Sequence, residues 1–159
     1  MHSGARFSED RLYRYNLFRI WKESVPPLVF VLLNPSSADE SRDDPTIKRC
    51  IGRALNGGFG GIEVVNLFAW RSVQPPGFLT APDPVGPQNN RFIMQAIGRP
   101  SSTIICGWGK GGKLFDRGTE VLALIREMGC VPQALKFNAD GTPKHPLYLP
   151  YQLQPFPIP

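Results

Sequence analysis

The stretch LVFVLLNPSSAD, residues 28–39, indicates the fold of this chain most clearly. Its first six residues form an uninterrupted apolar run, which is typical of a strand buried on both faces of a parallel sheet. Three similar runs of strand-favouring residues follow: IEVVNL at residues 62–67, TIICGW at 103–108 and QALKF at 133–137. Together these runs predict one parallel sheet covered by helices.

Helices are predicted between these strands. Asp44 is a favourable N-cap residue, Pro45 suits the first helical position, and the apolar spacing that follows ends at a glycine pair, residues 57–58. Residues 88–97 and 114–128 predict two more helices. The order β-α-β-α-β-α-β therefore predicts an α/β fold, a three-layer α/β/α sandwich around a four-stranded parallel sheet.

Two terminal segments are predicted to extend this domain. Within residues 1–24, the stretch YRYNLFRIW (13–21) has an imperfect period of two, which indicates an edge or hairpin strand. Residues 150–159 are rich in proline and predict a stiff tail. We expect residues 1–159 to form a single domain.

Composition narrows the class of protein. The chain has 159 residues, 42% hydrophobic and 19% charged, with no apolar run near the ~18 residues that span a membrane. Its first residues lack a secretory signal, so we expect a cytoplasmic protein. We also expect it to be a monomer. The cysteines Cys50, Cys106 and Cys130 are too widely spaced for a disulfide framework or a CxxC metal site. We therefore expect buried thiols, no metal and no cofactor.

The charge balance favours a polyanionic partner. There are 18 Lys and Arg residues against 13 Asp and Glu, which gives a net charge of +5. Mild basicity without such a partner is the alternative, because the basic residues are spread along the chain.

Polar residues at the strand ends are the first candidates for a site, since ligands of open parallel sheets bind at the carboxyl ends of the strands. Asn34-Pro35-Ser36 follows the first run, Asn66 lies in the second, and His145 follows the fourth. Asn34-Pro35 alone is also compatible with a turn, and backbone groups could satisfy the Asn66 amide. His145 is the one histidine beyond residue 2 and the candidate acid or base.

Two reaction classes are disfavoured by spacing. The stretch GWGKGGK, residues 107–113, lacks the GxxxxGK[ST] spacing of a nucleotide-hydrolysing loop, although backbone contact with a phosphate remains open. Ser36 or Ser37 with His145 would suggest acyl transfer, but no GxSxG elbow is present.

Taken in order, NPSSAD, VVNLF, ICGWG and HPLYL resemble the uracil-DNA glycosylase superfamily over residues 28–149, and Asn34-Pro35 resembles its mismatch-specific branch. The resemblance implies that Asn34 positions a water molecule, with Pro35 and Ser36 beside the base. It implies that Asn66 reads the base and His145 supports the leaving base. The whole chain is also similar to an uncharacterised bacterial and phage family known only as a domain of unknown function.

The chain departs from the superfamily pattern in two places. The stretch SRDDPTIKRC, residues 41–50, lacks the aromatic residue that usually stacks on the base. Leu147 replaces a serine whose hydroxyl would contact a DNA phosphate. Tyr148 and Lys144 are candidate substitutes for that serine. Asp44, with Asp39 and Asp43, is a candidate source of negative charge, although an Asp at this position also caps a helix.

The sequence leads to hypotheses from different functional classes, two enzymes and one binding module. The first is a DNA or nucleotide N-glycosylase that holds a flipped or free base, with phosphates contacted by Arg71, Lys110, Lys113 and Lys144. The second is a non-catalytic module that holds nucleic acid or a nucleotide in the same pocket. A nucleotide or small-molecule hydrolase is the third.

Overall fold

The computed structural model describes residues 1–72 and 77–159. The strands of this part of the chain are β1 His2–Phe7, β2 Arg14–Ile20, β3 Leu28–Leu32, β4 Gly61–Asn66, β5 Thr103–Cys106, β6 Pro132–Ala134 and β7 Phe156–Pro157. Its α-helices are α1 Pro45–Asn56, α2 Asn89–Ile97 and α3 Arg117–Glu127, and it has 3-10 helices at Gly109–Asp116 and Pro146–Tyr148.

The described strands form a mixed sheet in the order β1-β2-β4-β3-β5-β6-β7. Parallel pairing joins β3 to β4 and to β5, and β5 to β6. The β1–β2 hairpin adds antiparallel to β4 at one edge, and β7 adds antiparallel to β6 at the other. The sequence prediction of a four-stranded parallel sheet is therefore corrected to a seven-stranded mixed α/β sheet, because both terminal segments add strands.

Helices cover both faces of the sheet. On one face, α1 packs Ile47, Cys50 and Ala54 against residues such as Phe30 and Val64. On the other face, buried residues of α2 and α3 pack against the alternate residues of the same strands, among them Ile93, Val121, Val31 and Val65. Because successive strand residues point to opposite faces, the continuous apolar run 28–33 supplies both cores.

The sequence prediction for α1 is confirmed. The helix starts at Pro45, and the Asp44 carboxylate accepts a hydrogen bond from the Ile47 backbone N–H at 2.8 Å. Gly57 follows the last helical residue, as the glycine pair predicts. No helix within residues 1–72 or 77–159 is long and apolar enough to cross a bilayer.

The predicted helix 114–128 needs correction. The segment Gly109–Asp116 consists of 3-10 turns that are interrupted at Leu114 and Phe115, where the backbone angles are not helical, and α3 begins only at Arg117. Phe115 and Asp116 have φ angles of 55° and 54°, a left-handed conformation that an α-helix of L-residues cannot contain. The apolar pattern alone does not reveal this interruption.

The segment 150–159 is held against the domain rather than projecting as a tail. Arg53 of α1 donates hydrogen bonds to the backbone oxygens of Leu149 at 3.2 Å, Pro150 at 2.8 Å and Leu153 at 3.1 Å. Further on, β7 pairs with β6. The strand predicted at 133–137 is correspondingly shifted and shorter, Pro132–Ala134.

Candidate functional site

Asn66 ends β4 on the α1 side of the sheet. Its Cα lies opposite Leu32 of β3, and the residue is 1% exposed. Its Oδ1 accepts a long hydrogen bond, 3.4 Å, from Nη2 of Arg14. Its Nδ2 makes no hydrogen bond to any residue that the structure describes. The amide is therefore oriented with its oxygen towards Arg14, and its N–H donors have no partner among the described residues.

A β-bulge in the N-terminal hairpin aims Arg14 at this strand end. The register between β1 and β2 shifts at Arg6 and Phe7, so that Phe7 pairs with Arg14 and Tyr15 is the extra residue. Regular alternation would place Tyr15, not Arg14, on the face of Leu17. The bulge exchanges the faces of the two residues. Arg14 therefore lies on the face of Leu17, and Tyr15 stacks on Phe92 of α2 on the opposite face, with ring centres 4.9 Å apart.

Arg14 is a buried cation with incomplete hydrogen bonding. It is 2% exposed, and its Nη1 donates to the Ala38 backbone oxygen at 3.1 Å. Its Nε is buried without a partner among the described residues. Burial lowers the pKa of Arg14 to about 10, while the negative charge of Asp44 opposes this shift. Arg14 therefore stays positively charged at neutral pH.

Asp44 joins the loop after β3 to the start of α1. Besides capping the helix, its carboxylate accepts a hydrogen bond from the Ala38 backbone N–H at 3.2 Å. Its charge acts on Arg14 and on His145, since it raises the pKa of both groups against the effect of burial. We call Arg14, Asp44, Asn66 and His145 the strand-end cluster.

His145 is fixed in one tautomer. Its Nδ1 accepts a hydrogen bond from the Leu147 backbone N–H at 3.2 Å, which makes His145 the N-cap of the 3-10 helix Pro146–Tyr148. Burial lowers the pKa of His145, and Asp44 only partly opposes that shift. The imidazole is therefore neutral at pH 7 with its proton on Nε2, which donates to no described residue.

Close packing brings the His145 loop to the end of β5. A Cβ on Gly107 would lie 2.9 Å from Cδ of Pro146 and 3.1 Å from Cδ2 of Leu32. The Gly109 backbone N–H donates to the oxygen of Pro143 at 2.8 Å. A glycine directly after β5 thus allows this loop to contact β3 and β5 together.

The Asn34 loop follows the carboxyl end of β3, the strand that pairs with the end of β4. Asn34 is half-buried, two residues beyond Leu32, and its side chain makes no hydrogen bond to a described residue. Pro35 is buried, and its backbone oxygen accepts from the backbone N–H and the hydroxyl of Ser72, at 3.2 and 2.7 Å. Ser36 is exposed.

A cavity of 330 Å³ opens beside His145. Gly109, Asn138, Lys144 and the apolar residues Leu147, Tyr148 and Leu149 complete its walls. Asn34 and Asn66 do not line it. The structure thus links Asn66, Arg14, Asp44 and His145 by hydrogen bonds and charge, but it does not gather all three sequence-predicted residues around this cavity.

The predicted phosphate-contacting residues occupy separate positions. Lys144 is exposed beside the cavity, and Lys110 is exposed on the 3-10 helix after β5. The Lys113 ammonium lies 3.5 Å from the Asp140 carboxylate. Arg71 is half-buried and donates to the Arg11 backbone oxygen at 3.1 Å. Lys144 alone lies beside His145 in the chain and in the fold.

Sequence reasoning missed Arg14. Arg14 is the first residue of a strand that also contains Asn16 and Arg19, so its sequence does not single it out, and the bulge that directs it inward has no sequence mark of its own. Residues 1–72 and 77–159 contain no group of three or more His, Cys, Asp or Glu side chains placed to hold a metal ion.

Comparison with known proteins reports one relationship. No curated protein and no solved structure matches the chain. A family model described as a protein of unknown function, DUF1643, matches residues 14–147, which include every member of the strand-end cluster. This confirms the predicted similarity to an uncharacterised family, and the chain belongs to the DUF1643 family of proteins of unknown function.

Proposed function

We propose that the strand-end cluster binds a nucleobase and that the chain is a DNA or nucleotide N-glycosylase of the uracil-DNA glycosylase type. In this proposal the parallel strands β4-β3-β5-β6 correspond to the four-stranded sheet of that superfamily, with β1, β2 and β7 as additions. The observation that carries the proposal is a pair of hydrogen-bond donors that no described residue occupies. These are Nδ2 of Asn66, at the end of β4, and Nε2 of His145, on the loop that contacts the ends of β3 and β5.

Two donors of this kind suit the carbonyl oxygens of a pyrimidine. Arg14 engages Oδ1 of Asn66 and so presents the Asn66 N–H groups to a ligand. His145, neutral and protonated on Nε2, donates to a second oxygen without losing its proton. Both hydrogen bonds would strengthen as negative charge develops on a leaving base.

Arg14 adds a buried positive charge to the same neighbourhood. A charge held in a medium of low dielectric acts over a longer distance than one in water. Its field would stabilise an anionic base, while the Arg14–Asn66 hydrogen bond keeps the reading amide in place. In this mechanism Asn34 orients the attacking water, because an amide cannot take up its proton as a carboxylate does.

The carboxylates near Asn34 support the non-catalytic alternative. Asp39 accepts hydrogen bonds from the backbone of Ser41 and Arg42, at 3.0 and 2.8 Å. Asp43 pairs with Arg19 at 2.9 Å, and Asp44 caps α1. Since each carboxylate is engaged in the fold through at least one oxygen, we assign none of them as the base that activates water, and a module that binds a base without cleaving it is the second candidate function.

Incubation of the protein with uracil-containing, thymine-mismatched and modified-pyrimidine oligonucleotides, single- and double-stranded, tests the proposal. Cleavage at abasic sites reports excision, and binding is measured in parallel. We expect His145→Ala to lower excision about 10²–10³-fold, the effect of removing one transition-state donor. Asn66→Ala should weaken both binding and excision.

The matched control is Asn56→Ala, an exposed asparagine at the end of α1, which should leave both activities unchanged. Binding without excision, lost in Asn66→Ala, would favour the non-catalytic module. Excision by Asn66→Ala and His145→Ala at the rate of the unmodified protein would contradict the assignment of this site.

A further inference from the structure

A second cavity, of 790 Å³, lies between the β1–β2 hairpin and α2, on the face of the sheet opposite the strand-end cluster. Its floor includes Asn16 and Phe18 of β2, and α2 contributes Arg91 and Phe92 to the wall. Small-molecule sites occupy roughly 300–1,000 Å³. The cavity is therefore large enough for a ligand of that class, and we call it the hairpin cleft.

The hairpin cleft exists because α2 packs against β4 and β3 and leaves part of the hairpin uncovered. Gly4 of β1 lies against the Phe18 ring, since a Cβ on Gly4 would be 2.6 Å from Cζ of Phe18. His2 meets the Phe18 ring edge-on, with ring centres 5.1 Å apart. Phe18 is thus held in a defined position and offers an aromatic surface to the cleft.

Positive charge predominates on the walls. Arg99 pairs with Glu63 at 2.6 Å, and this pairing neutralises a carboxylate that is 3% exposed. Arg6 and Arg91, also lining the cleft, form no ion pair with any described residue. The exposed Glu23 is the remaining carboxylate of the lining. Two guanidinium groups without an ion-pair partner favour an anionic ligand. One guanidinium group can donate two parallel hydrogen bonds to two oxygens of a phosphate.

Asn16 adds a requirement that a simple anion does not meet. Its Oδ1 is buried and has no hydrogen-bond partner among the described residues. A buried acceptor without a partner carries a free-energy cost, which an N–H group of a ligand would remove. A phosphate ion has no N–H group, whereas a nucleobase has both N–H donors and a flat surface that can contact Phe18.

We propose that the hairpin cleft is a second ligand site and that it takes a nucleoside phosphate. The phosphate binds between Arg6 and Arg91, the base contacts Phe18, and a base N–H donates to Oδ1 of Asn16. Glu63 keeps Arg99 in place. This site is independent of the proposed function, since it lies on the other face of the sheet.

Titration calorimetry on the full chain tests this assignment. The ligands are the nucleoside 5′-monophosphates, the corresponding nucleosides and inorganic phosphate, each at low and at moderate salt. We expect at least one monophosphate to bind more than ten-fold tighter than its nucleoside and than phosphate, with affinity falling as salt rises. Arg6→Gln combined with Arg91→Gln should weaken this binding more than ten-fold.

Arg42→Gln is the charge-matched control, because Arg42 is exposed and lies outside the cleft. It should leave the affinity within two-fold of the unmodified protein. Asn16→Leu should weaken the monophosphate and leave the phosphate affinity unchanged. Arg99 is not substituted, since that change would leave the buried Glu63 carboxylate without its partner.

Several outcomes would overturn the assignment. They are no binding of any monophosphate, equal binding of nucleoside and monophosphate, or loss of binding in Asn66→Ala rather than in the arginine variants. A single-stranded oligonucleotide bound through Arg6 and Arg91 more than ten-fold tighter than any monophosphate would identify a nucleic-acid strand as the ligand instead. Excision activity does not enter these readouts, so the two proposals fail separately.

Discussion

At His145, one hydrogen bond and burial together hold the imidazole in its neutral form. The Leu147 N–H occupies Nδ1, and burial lowers the pKa of His145 below its ordinary value of 6.5. A neutral imidazole with its proton on Nε2 is a hydrogen-bond donor that carries no charge of its own, so it can stabilise a developing anion without competing with Arg14 for negative charge. Both residues respond to the same carboxylate, since Asp44 acts on each of them.

The lowered pKa of His145 predicts a pH-dependent stability. Below pH 6.5 the unfolded chain takes up this proton more readily than the folded protein does. The free energy of unfolding should therefore fall as the pH drops from 6.5 towards the folded pKa, and level off below it. Urea unfolding at a series of pH values measures this slope.

His145→Gln should reduce the slope, because glutamine does not titrate, and His2→Gln is the control, because it leaves His145 in place. An unchanged slope in His145→Gln would mean that burial does not shift this group.

Gly107 permits the close contact between the His145 loop and β3. In Gly107→Ala the new Cβ would lie 2.9 Å from the rigid ring of Pro146. We expect a loss of about 1–3 kcal/mol in the free energy of unfolding, the usual cost of overpacking. Gly77→Ala is the control, since a Cβ there meets no atom within 4 Å. Equal stability of the two variants would show that the loop moves away without cost.

Among the elements, α1 has two functions that depend on one carboxylate. Asp44 caps the helix through Ile47, and its charge acts on Arg14 and His145. The two functions are separable, because asparagine keeps an oxygen that accepts the Ile47 N–H but carries no charge.

Asp44→Asn should therefore keep α1 intact and lower the pKa of His145 further, since the opposing charge is lost. An NMR titration of the imidazole measures this shift. Asp44→Ala should also remove the cap, which costs about 0.5–2 kcal/mol of stability. A pKa that is unchanged in Asp44→Asn would place Asp44 too far from His145 to act on it.

The elements that sequence predicts well here are those with local signals. Asp44, Pro45 and the glycines at 57–58 define α1 within the chain itself, and the apolar run at 28–33 identifies a central strand. The hairpin partner β1 and the strand β7 depend on pairing with distant residues. The left-handed Phe115 likewise has no local signal, since such residues are rarely other than glycine, asparagine or aspartate.

The candidate site, too, has one part that the sequence predicts and another part that depends on contacts between distant residues. Parallel strand order predicts that Asn34, Asn66 and His145 lie near one edge of the sheet, and their backbones do lie there. The position of Arg14 depends on a one-residue bulge. The cavity beside His145 excludes Asn34 and Asn66, and side-chain packing of this kind depends on residues from several elements at once.

At the scale of the whole molecule, both terminal segments extend the central sheet. The β1–β2 hairpin supplies Arg14 to one side, and the segment 149–159 crosses α1 and ends as β7 at the opposite edge. Leu149 and Leu153 pack against the core that α1 shares with β3 and β4. Since Leu149 follows the His145 loop closely in the chain, this packing also restrains that loop.

Deleting residues 150–159 should therefore destabilise the fold and loosen the His145 loop. Removal of Leu153, which is partly buried against the core, takes away part of the roughly 1.5–3 kcal/mol that full burial of a leucine provides. The Arg53 guanidinium would also lose the backbone oxygens of Pro150 and Leu153. We expect urea unfolding to report a loss of about 2 kcal/mol or more, and hydrogen exchange to become faster at Leu147, whose N–H donates to His145.

Arg53→Met, which keeps the apolar stem and removes the guanidinium, should give part of this loss. Phe156→Ala, at a ring that is 39% exposed and meets the Phe137 ring edge-on, should give another part of this loss. If the deletion changes neither the unfolding free energy nor the exchange at Leu147, the segment rests on the surface without stabilising it. The His145 loop would then be restrained by its contacts with Gly107, Gly109 and Lys136 and by the 3-10 helix, and its geometry would not depend on the other edge of the sheet.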